Sequence, residues 1–234
     1  MKPNIENKNI LVQKVFNHVS EKYDLMNDLM SFGSHRLWKK QLINWMSPHN
    51  NTKLIDVACG TGDLIKKFIK YTNDSCQIDA IDPNPKMLRV GKKKLANYKN
   101  INWKVCKAEK LSFKENTFDY YTISFGIRNV TNINKALKEA YRVLKPGGRF
   151  MCLEFSKIQN ENLNKFYKVY SDYIPLLGKF IVGESSPYEY LVKSIKDFYS
   201  QDELKEIMQK NNFSNIEYRN LSGGIVAIHS GWKI

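Results

Sequence analysis

Cysteine is scarce in this sequence, and the positions of the few cysteines argue against two kinds of site. The four residues form no C-x-x-C pair and stand among apolar, strand-like residues, at Cys59, Cys76, Cys106 and Cys152. A free thiol in such surroundings behaves as a small hydrophobic side chain. We therefore expect neither a disulfide framework nor a metal site.

Long apolar runs are missing as well. No uninterrupted run approaches the ~20 apolar residues that a membrane-spanning helix needs, and residues 1–6 lack the apolar core of a signal peptide. The sequence therefore predicts a cytoplasmic protein.

Arginine is rare relative to lysine, which bears on the formal net charge of +14. Such an excess of positive charge attracts polyanions, so nucleic acid and an anionic membrane surface are candidate partners. Only six of the 37 basic residues are arginine, however, and arginine is the residue best suited to phosphate and base recognition. The lysine runs at 66–67 and 92–94 fall on predicted helices, where they fit a solvated outer face. We expect no nucleic-acid partner and keep nucleic-acid binding as the alternative.

The length and the apolar content fit a single globular domain. A chain of 234 residues with 42% hydrophobic residues can bury a sizeable core. Its patterning has three parts, a helical segment at 1–50, an alternating core at 51–156, and further helices with a pair of strands at 157–234. We expect one domain, 1–234, built from these parts.

Short apolar runs alternate with amphipathic segments in the middle of the chain. The strand-like runs are 53–57, 77–81, 101–106, 118–124 and 149–155. The helix-like segments are 62–71, 84–96 and 131–144, and a turn at 145–148 containing proline and two glycines follows the last of them. This alternation is typical of βαβ units and predicts an α/β fold with a doubly wound, mostly parallel sheet.

The last part of the chain has a different pattern. Ser200 and Glu203 have the spacing of a capping box, which places the start of a final helix near residue 201. Two strand-like runs follow at 213–221 and 224–229, with a glycine-containing turn between them. We expect an antiparallel hairpin at one edge of the sheet.

The sharpest local signal is a turn of small residues at 54–63, LIDVACGTGD, which leads from the first strand into a helix. Gly60 and Gly62 allow the backbone to approach a ligand closely. The turn lacks the G-x-G-x-x-G spacing of dinucleotide sites, and Asp63 stands where a pyrophosphate would lie. The turn therefore suits a nucleoside cofactor without phosphates.

Two carboxylates at strand ends specify that cofactor further. Asp56 ends the first strand and suits a cationic ligand, while Asp82 ends the second strand, where a carboxylate can accept both ribose hydroxyls. S-adenosylmethionine carries a sulfonium and an ammonium group but no phosphate. The residues therefore predict S-adenosylmethionine as the cofactor.

Several blocks of sequence form a pattern that extends over nearly the whole chain. They are VSEKYDLMNDLMSFG at 19–33, HRLWK at 35–39, TISFGIRNVT at 122–131, YRVLKPGGR at 141–149, LEFSK at 153–157 and YEYLVKSI at 188–195. Together they resemble the ubiquinone/menaquinone biosynthesis C-methyltransferases, a family of class I methyltransferases. The resemblance implies a Rossmann-like class I fold in which the helical N-terminal segment forms a lid over the site.

By this resemblance, the cofactor contacts fall on Thr61, Asp82, the pair Lys107 and Ala108, and Ser124. Lys107 departs from the family, which usually has Asn or Asp there. Such a side chain can accept a hydrogen bond from the adenine amino group, and a lysine cannot. Either the backbone around Ala108 contacts the adenine or the affinity is reduced.

The segment after the fourth strand bears on the chemistry. It contains no Asp-Pro-Pro-Tyr-like loop, the usual device for methylating the exocyclic nitrogens of bases, and Arg128 and Asn129 stand there instead. The resemblance assigns both to the reacting centre, with Tyr23 on the lid. An arginine suits developing phenolate charge, and an asparagine can orient a hydroxyl. His18, His35 and a water held by Arg128 are candidates to take the proton of the hydroxyl on the ring.

The implied substrate is a polyprenylated quinol, methylated on a ring carbon. Demethylmenaquinol, a polyprenylated methoxybenzoquinol, or both would fit. Residues 173–182 suit either an apolar patch that contacts the inner face of a membrane or a buried helix. Peripheral membrane binding, a quinone-biosynthesis complex and the oligomeric state are left open. The alternatives to this enzyme are an RNA methyltransferase and a non-catalytic nucleic-acid-binding module.

Overall fold

The computed structural model of the chain describes residues 27, 28, 31, 33–165, 167, 170, 173 and 186–234. Most of the helical lid expected at 1–50 therefore lies outside the described residues. Its last part is helix α1 (His35–Met46), which buries an apolar stripe that includes Trp38, Leu42 and Met46.

From α1 onward, the described elements follow the alternation that the sequence predicts. They are β1 (Lys53–Val57), α2 (Asp63–Tyr71), β2 (Gln77–Asp82), α3 (Pro85–Lys94), β3 (Ile101–Val105), β4 (Phe118–Ser124), a short 3-10 helix (Ile127–Asn129), α4 (Ile133–Val143), β5 (Leu144–Phe155), α5 (Ser186–Lys196), α6 (Gln201–Lys210), β6 (Ser214–Leu221), a second 3-10 turn (Ser222–Gly224) and β7 (Val226–Trp232).

Seven strands of the described part form one sheet in the order β3-β2-β1-β4-β5-β7-β6. Strands β1 to β5 pair in parallel, whereas β7 runs antiparallel to both β5 and β6. The expected doubly wound, mostly parallel sheet with an antiparallel hairpin at its edge is confirmed. Because the strand order reverses between β1 and β4, the carboxyl ends of these two strands border the crevice in which open α/β sheets bind ligands.

Both faces of the sheet are covered by helices. Leu54 of β1 belongs to the apolar cluster of Leu42 and Phe68 on α1 and α2, and its neighbour Ile55 belongs to the opposite cluster with Leu137 of α4. Successive residues of a strand point to opposite faces, so a single strand supplies both cores. By the same alternation, Asp56 lies on the face that α1 and α2 cover.

The boundary between α4 and β5 differs from the sequence prediction. The helix ends at Val143, and Leu144, expected in the helix, already pairs with Phe118 at the start of β5. The register then shifts until Arg149 pairs with Tyr120. The turn expected at 145–148 is therefore an irregularity inside the strand, made possible by the positive φ of 77° at Gly147.

The end of the chain follows the expected pattern closely. The side chains of Ser200 and Glu203 form a reciprocal capping box, which fixes the start of α6. Strand β7 begins at Val226, slightly later than expected, and the turn over Ser222–Gly224 takes up Gly224, the first residue of the expected run. The hairpin places β7 against β5 and leaves β6 at the edge.

Within the described ranges, no helix is both long and apolar enough to cross a bilayer. All four cysteines are free thiols.

Candidate active site

The turn between β1 and α2 has the backbone that its small residues predict. Ala58, Gly60 and Gly62 have positive φ angles of 54°, 56° and 82°, the left-handed region that favours glycine. At Gly62 a side chain would also collide with Leu95, since a Cβ atom there would lie 2.8 Å from Leu95 Cδ1. The turn thus leaves the backbone of Gly60 and Gly62, at the carboxyl end of β1, without side chains that would cover it.

Asp82, at the end of β2, fixes this turn from the neighbouring strand. Its Oδ2 accepts a hydrogen bond of 2.9 Å from the backbone N–H of Gly60, and its Oδ1 accepts one of 2.8 Å from the N–H of Asn84. Burial raises the pKa of Asp82 to about 6, although both N–H groups oppose the shift. Each oxygen can accept a second hydrogen bond, so the carboxylate can hold the turn and a ligand hydroxyl together.

Asp56, at the end of β1, is only half satisfied. It is 1% exposed, and its Oδ1 accepts a hydrogen bond of 2.6 Å from the Thr122 hydroxyl. Its Oδ2 is buried and has no hydrogen-bond partner among the described residues. Burial raises the pKa of Asp56 to about 7, and Thr122 and the charge of Lys39 only partly offset that effect.

Ser124, at the end of β4, has a second buried polar atom of this kind. Its hydroxyl lacks a hydrogen-bond partner within the part of the chain that the structure describes. Buried polar atoms are nearly always hydrogen-bonded in native proteins, so two such atoms at one edge of the sheet indicate a ligand site. A cationic, hydroxyl-bearing ligand fits this set of acceptors.

Charged side chains from three helices meet next to the turn. Lys94 of α3 donates hydrogen bonds of 3.3 Å to the Thr61 hydroxyl and to Asp63. Lys39 of α1 lies 3.5 Å from the other oxygen of Asp63 and is itself buried. No motif in the sequence predicts a role for Lys39. The sequence signal at this position is a lysine within the apolar stripe of an amphipathic helix.

The loop that carries Lys107 and Ala108 lies beside the end of β2. The backbone N–H of Cys106 donates to the carbonyl of Asp82, and Ala108 is buried in the same apolar cluster as Ile81. Lys107 forms an isolated bridge with Lys110. The adenine contact at Lys107 and Ala108 stays a prediction.

Arg128 is a buried ion pair rather than an open cation. Its Nη1 donates hydrogen bonds of 2.6 Å to Glu154 Oε1 and 2.7 Å to the carbonyl of Phe125. Its Nε donates to Ser194 of α5 at 3.4 Å. The side chains of Arg128 and Glu154 are 4% and 1% exposed. Burial raises the pKa of Glu154 against the opposing charge of Arg128.

Asn129 has a partner from α5. Tyr190 donates a hydrogen bond of 2.9 Å from its hydroxyl to Asn129 Oδ1, and both residues are half-buried. Burial raises the pKa of Tyr167 to about 12, and the nearby positive charge of Arg128 opposes that shift. The block at 188–195 belongs to the family resemblance, but no local pattern predicts a role for Tyr190 or Ser194, because their partners Asn129 and Arg128 are distant in sequence.

The turn after β4 and the glycine turn after β1 are in close contact. A Cβ atom on Gly126 would collide with the Cβ of Ala58. The structure therefore brings Ser124, Arg128 and Asn129 to the same edge of the sheet as the residues of the glycine turn.

Several residues expected at the site lie outside the described part of the chain. They are His18, Tyr23 and most of the segment 173–182. His35 is described and buried, with Nε2 2.9 Å from Asp28 Oδ1. Burial and the charge of Lys39 lower the pKa of His35, against the effect of Asp28.

Comparison with known sequences gives a match over almost the full length. A sequence model of the ubiE/COQ5 methyltransferase family matches residues 3–233. The ubiquinone/menaquinone biosynthesis C-methyltransferase UbiE of Rickettsia bellii strain OSU 85-389 is 53% identical over 234 residues, covering 97% of this chain and 94% of that protein. The enzyme of the same name from Rickettsia prowazekii is 51% identical with the same coverage.

Solved structures with the same fold are more distant in sequence. A SAM-dependent methyltransferase from Aquifex aeolicus superimposes with a TM-score of 0.65 at 15% identity, covering 89% of this chain and 97% of that chain. A SAM-dependent methyltransferase from Thermotoga maritima, described as a possible histamine N-methyltransferase, gives a TM-score of 0.65 at 20% identity and covers 94% of this chain and 99% of that chain. These similarities concern the fold alone.

Proposed function

The chain belongs to the ubiE/COQ5 methyltransferase family, and from that premise we propose that it methylates a ring carbon of a polyprenylated quinol in ubiquinone or menaquinone biosynthesis. The observation that carries this proposal is a pair of buried acceptors beside the glycine turn, Asp56 Oδ2 and Ser124 Oγ, neither of which has a hydrogen-bond partner among the described residues. The curated relatives of high identity support the quinone pathway.

The cofactor is S-adenosylmethionine, which supplies an electrophilic methyl group on a sulfonium. Asp82 accepts the ribose hydroxyls on its remaining lone pairs while it keeps Gly60 in place. Asp56 faces a cationic part of the cofactor, where a buried carboxylate has its largest effect. The remaining cofactor contacts are Gly60, Thr61, Gly62, Lys107, Ala108 and Ser124.

Methylation of the ring needs an electron-rich carbon. A quinol would supply one when a hydroxyl loses its proton. The ring carbon would then form the new C–C bond as the C–S bond of the sulfonium breaks and releases the thioether, and loss of the C–H proton from that carbon would restore the aromatic ring. The protein has to hold the ring carbon in line with the methyl group and to stabilise charge on the ring oxygen. We assign these tasks to Arg128 and Asn129 after β4 and to Tyr23 on the lid.

The ion pair with Glu154 changes how Arg128 performs its task. A guanidinium that is neutralised by a carboxylate 2.6 Å away contributes directed N–H groups more than net charge. Its fixed orientation favours stabilisation of a phenolate oxygen at a defined position. Asn129, held by Tyr190, orients a ring hydroxyl in the same way.

We also propose that the chain forms one domain, in which 1–50 is the lid, 51–156 binds the cofactor and 157–234 faces the substrate. Because a polyprenyl substrate resides in a membrane, we propose a cytoplasmic protein that acts at the inner face of the membrane. It would reach its substrate through a contact with the membrane or as part of a quinone-biosynthesis complex.

The experiment is transfer of a labelled methyl group from S-adenosylmethionine. The purified chain is incubated with demethylmenaquinol, with a polyprenylated demethylated methoxybenzoquinol, or with total RNA. We expect label in one or both quinols and none in RNA. Label in RNA alone would support an RNA methyltransferase, and RNA binding without transfer would support a nucleic-acid-binding module.

A further inference from the structure

The helices on the two faces of the sheet differ in charge. On one face, α1, α2 and α3 carry three, three and five lysine or arginine residues and a single acidic residue, Asp63. On the other face, α4 and α6 carry three and two basic residues against one and three acidic residues. A lysine excess that came from composition alone would fall on both faces. Its concentration over α1–α3 therefore indicates a surface for a partner of negative charge.

Helices α1 and α2 lie side by side and run in the same direction. Lys39 of α1 lies 3.5 Å from Asp63 at the start of α2. The hydroxyl of Ser47, which caps the end of α1, lies 3.3 Å from the hydroxyl of Tyr71, the last residue of α2. Their exposed surfaces therefore adjoin. We call this surface the α1–α2 face, and its exposed residues include Arg36, Leu37 and Lys40 on α1 and Lys66, Lys70 and Tyr71 on α2.

The positive charges of the α1–α2 face are close enough to act on one another. Burial lowers the pKa of Lys67, and the charges of Lys39, Arg36 and Lys70 lower it further, against the effect of Asp63. Asp63 is the single acidic residue of the two helices. The face thus has an excess of positive charge that the helices themselves do not neutralise.

Three lysines of the face lack a counter-charge. Arg36 is compensated by Asp28, at 2.6 Å. Lys40, Lys66 and Lys70 are exposed, and none of them forms an ion pair with a described residue. Their ammonium groups are therefore available to an anionic partner from outside the chain.

An aliphatic and an aromatic side chain lie among these charges and indicate what the partner is. Leu37 is 62% exposed and Tyr71 is 43% exposed. On a bilayer surface, lysines bind anionic headgroups while apolar and aromatic side chains enter the boundary with the acyl chains. Nucleic-acid recognition relies more on arginine, whereas all but two of the basic residues of α1–α3 are lysine. A lipid surface therefore fits the face better than RNA does.

The N-terminal end of the face lies beside the candidate active site. Helix α2 begins at Asp63, directly after the glycine turn, and Lys39 of α1 contacts Asp63. Leu37 precedes Lys39 by two residues and so lies at the same end of α1. A bilayer against this face brings lipid close to the edge of the sheet at which the site lies.

We propose that the α1–α2 face docks on a bilayer that contains anionic phospholipid, with Lys40, Lys66 and Lys70 at the headgroups and Leu37 inserted between them. The inference rests on the proposed function, because docking serves a substrate with a polyprenyl tail. It adds the surface through which the protein meets the membrane and the class of lipid that holds it there.

The test is co-sedimentation of the full chain with vesicles of phosphatidylcholine alone or of equal amounts of phosphatidylcholine and phosphatidylglycerol. We expect binding to the anionic vesicles that weakens with added salt, and little binding to the neutral ones. The double variant Lys40→Gln with Lys70→Gln should bind roughly 10- to 30-fold more weakly, about fivefold for each lysine. Leu37→Ser should bind roughly three- to tenfold more weakly and keep the parental salt dependence.

The matched control removes the same charge from the opposite face. Lys135→Gln with Lys138→Gln changes two exposed lysines of α4, which packs in the other apolar cluster. This variant should keep most of the parental binding. Every substituted side chain is exposed, so the fold should persist in all variants, and thermal unfolding checks it.

Methyl transfer to a quinol with a short, water-soluble side chain separates this inference from the proposed function. All variants should transfer at the parental rate, because the substrate is no longer held in a bilayer. A parent chain that binds anionic vesicles but methylates no quinol would refute the proposed function and leave the docking face in place.

Three outcomes would overturn the inference. The parent chain would bind neither kind of vesicle. Alternatively, the α1–α2 and α4 double variants would lose binding equally, so that net charge rather than this face attracts the lipid. Finally, the parent chain would bind total RNA but no vesicles and the α1–α2 variant would lose the RNA, which would make the face a nucleic-acid surface.

Discussion

Asp56 and Glu154 are both carboxylates at the carboxyl ends of parallel strands, and each is 1% exposed. Their partners differ. Glu154 accepts hydrogen bonds from the side chain and the backbone of Arg128 and from the N–H of Phe155. Asp56 accepts one hydrogen bond, from Thr122, and its second oxygen has no hydrogen-bond partner among the described residues.

The contrast separates a structural charge from a binding charge. Burial raises the pKa of both carboxyl groups, because both have lost their water. In Glu154 the protein itself compensates that loss with Arg128, so the pair is complete. At Asp56 no described residue supplies a hydrogen bond to the second oxygen, and we expect a ligand to do so. We therefore expect changes at Glu154 and Arg128 to affect folding first, and changes at Asp56 and its neighbours to affect binding first.

The largest effect should follow from Arg128→Ala. The variant leaves Glu154 buried without its cation, which typically costs about 3–5 kcal/mol of unfolding free energy. Urea unfolding measures this loss. The double variant Arg128→Ala with Glu154→Gln removes the orphaned charge and should regain part of the stability. Equal stability of the two variants would contradict the view that the lost pairing is the cause.

Those molecules of an Arg128 variant that remain folded also test the role of Arg128 in catalysis. If Arg128 stabilises the phenolate, removal of that donor should lower kcat by roughly 10²–10³ with little change in cofactor affinity. Arg128→Lys keeps the pair with Glu154 but loses the planar fork and should recover only part of the rate. Parental kcat in both folded variants would restrict Arg128 to a structural role.

The next largest effect should follow from Asp82→Ala on the binding side. Loss of the ribose hydrogen bonds should cost roughly 2–4 kcal/mol of cofactor binding free energy, measured by calorimetry. The matched control is Asp79→Ala on the same strand, whose side chain pairs with Asn102 away from the turn. Cofactor affinity that is unchanged in Asp82→Ala, or equally weakened in Asp79→Ala, would contradict the assignment.

This contrast also marks what could be predicted from the sequence. The strands, the glycine turn and the positions of Asp56 and Asp82 follow from local patterns, because each depends on residues close together in the chain. The partner of Arg128 does not, since Glu154 reaches it only through the pairing of β4 with β5. The hydrogen bond from Tyr190 to Asn129 depends in the same way on where α5 packs.

A smaller effect than that of Asp82→Ala should come from pH, which should act in opposite directions on the stability of the free protein and on its affinity for the cofactor. Asp56 and Asp82 have folded pKa values of about 7 and about 6, above the usual value of 3.8 for aspartate. Their protonation favours the fold at low pH, and that contribution is lost as the pH rises through 6 to 7. A cationic ligand requires the ionised forms, so its affinity should rise over the same window.

Asp56→Asn isolates this effect. In the parent chain, affinity should fall by up to about tenfold per pH unit for each carboxyl group below its pKa. The variant should bind more weakly at pH 8 and lose less affinity on going to pH 6. Unfolding free energies of the two proteins at pH 5 and pH 8 give the second readout, because the stability of the parent should fall more than that of the variant.

The smallest effect should follow from Tyr190→Phe. This variant tests whether Asn129, next to Arg128, acts on the substrate. The hydrogen bond from Tyr190 to Asn129 joins two half-buried groups, so its loss should cost about 1 kcal/mol or less of stability. If Asn129 orients a ring hydroxyl, the freed amide should lower kcat roughly three- to tenfold. Cofactor affinity should stay at the parental value, because Asp56 and Asp82 are unaffected. Tyr199→Phe, at an exposed tyrosine, is the matched control and should match the parent in both measurements. A fall in cofactor affinity with unchanged kcat would assign Tyr190 to the binding side of the comparison, and parental values throughout would leave Asn129 without a role that depends on Tyr190.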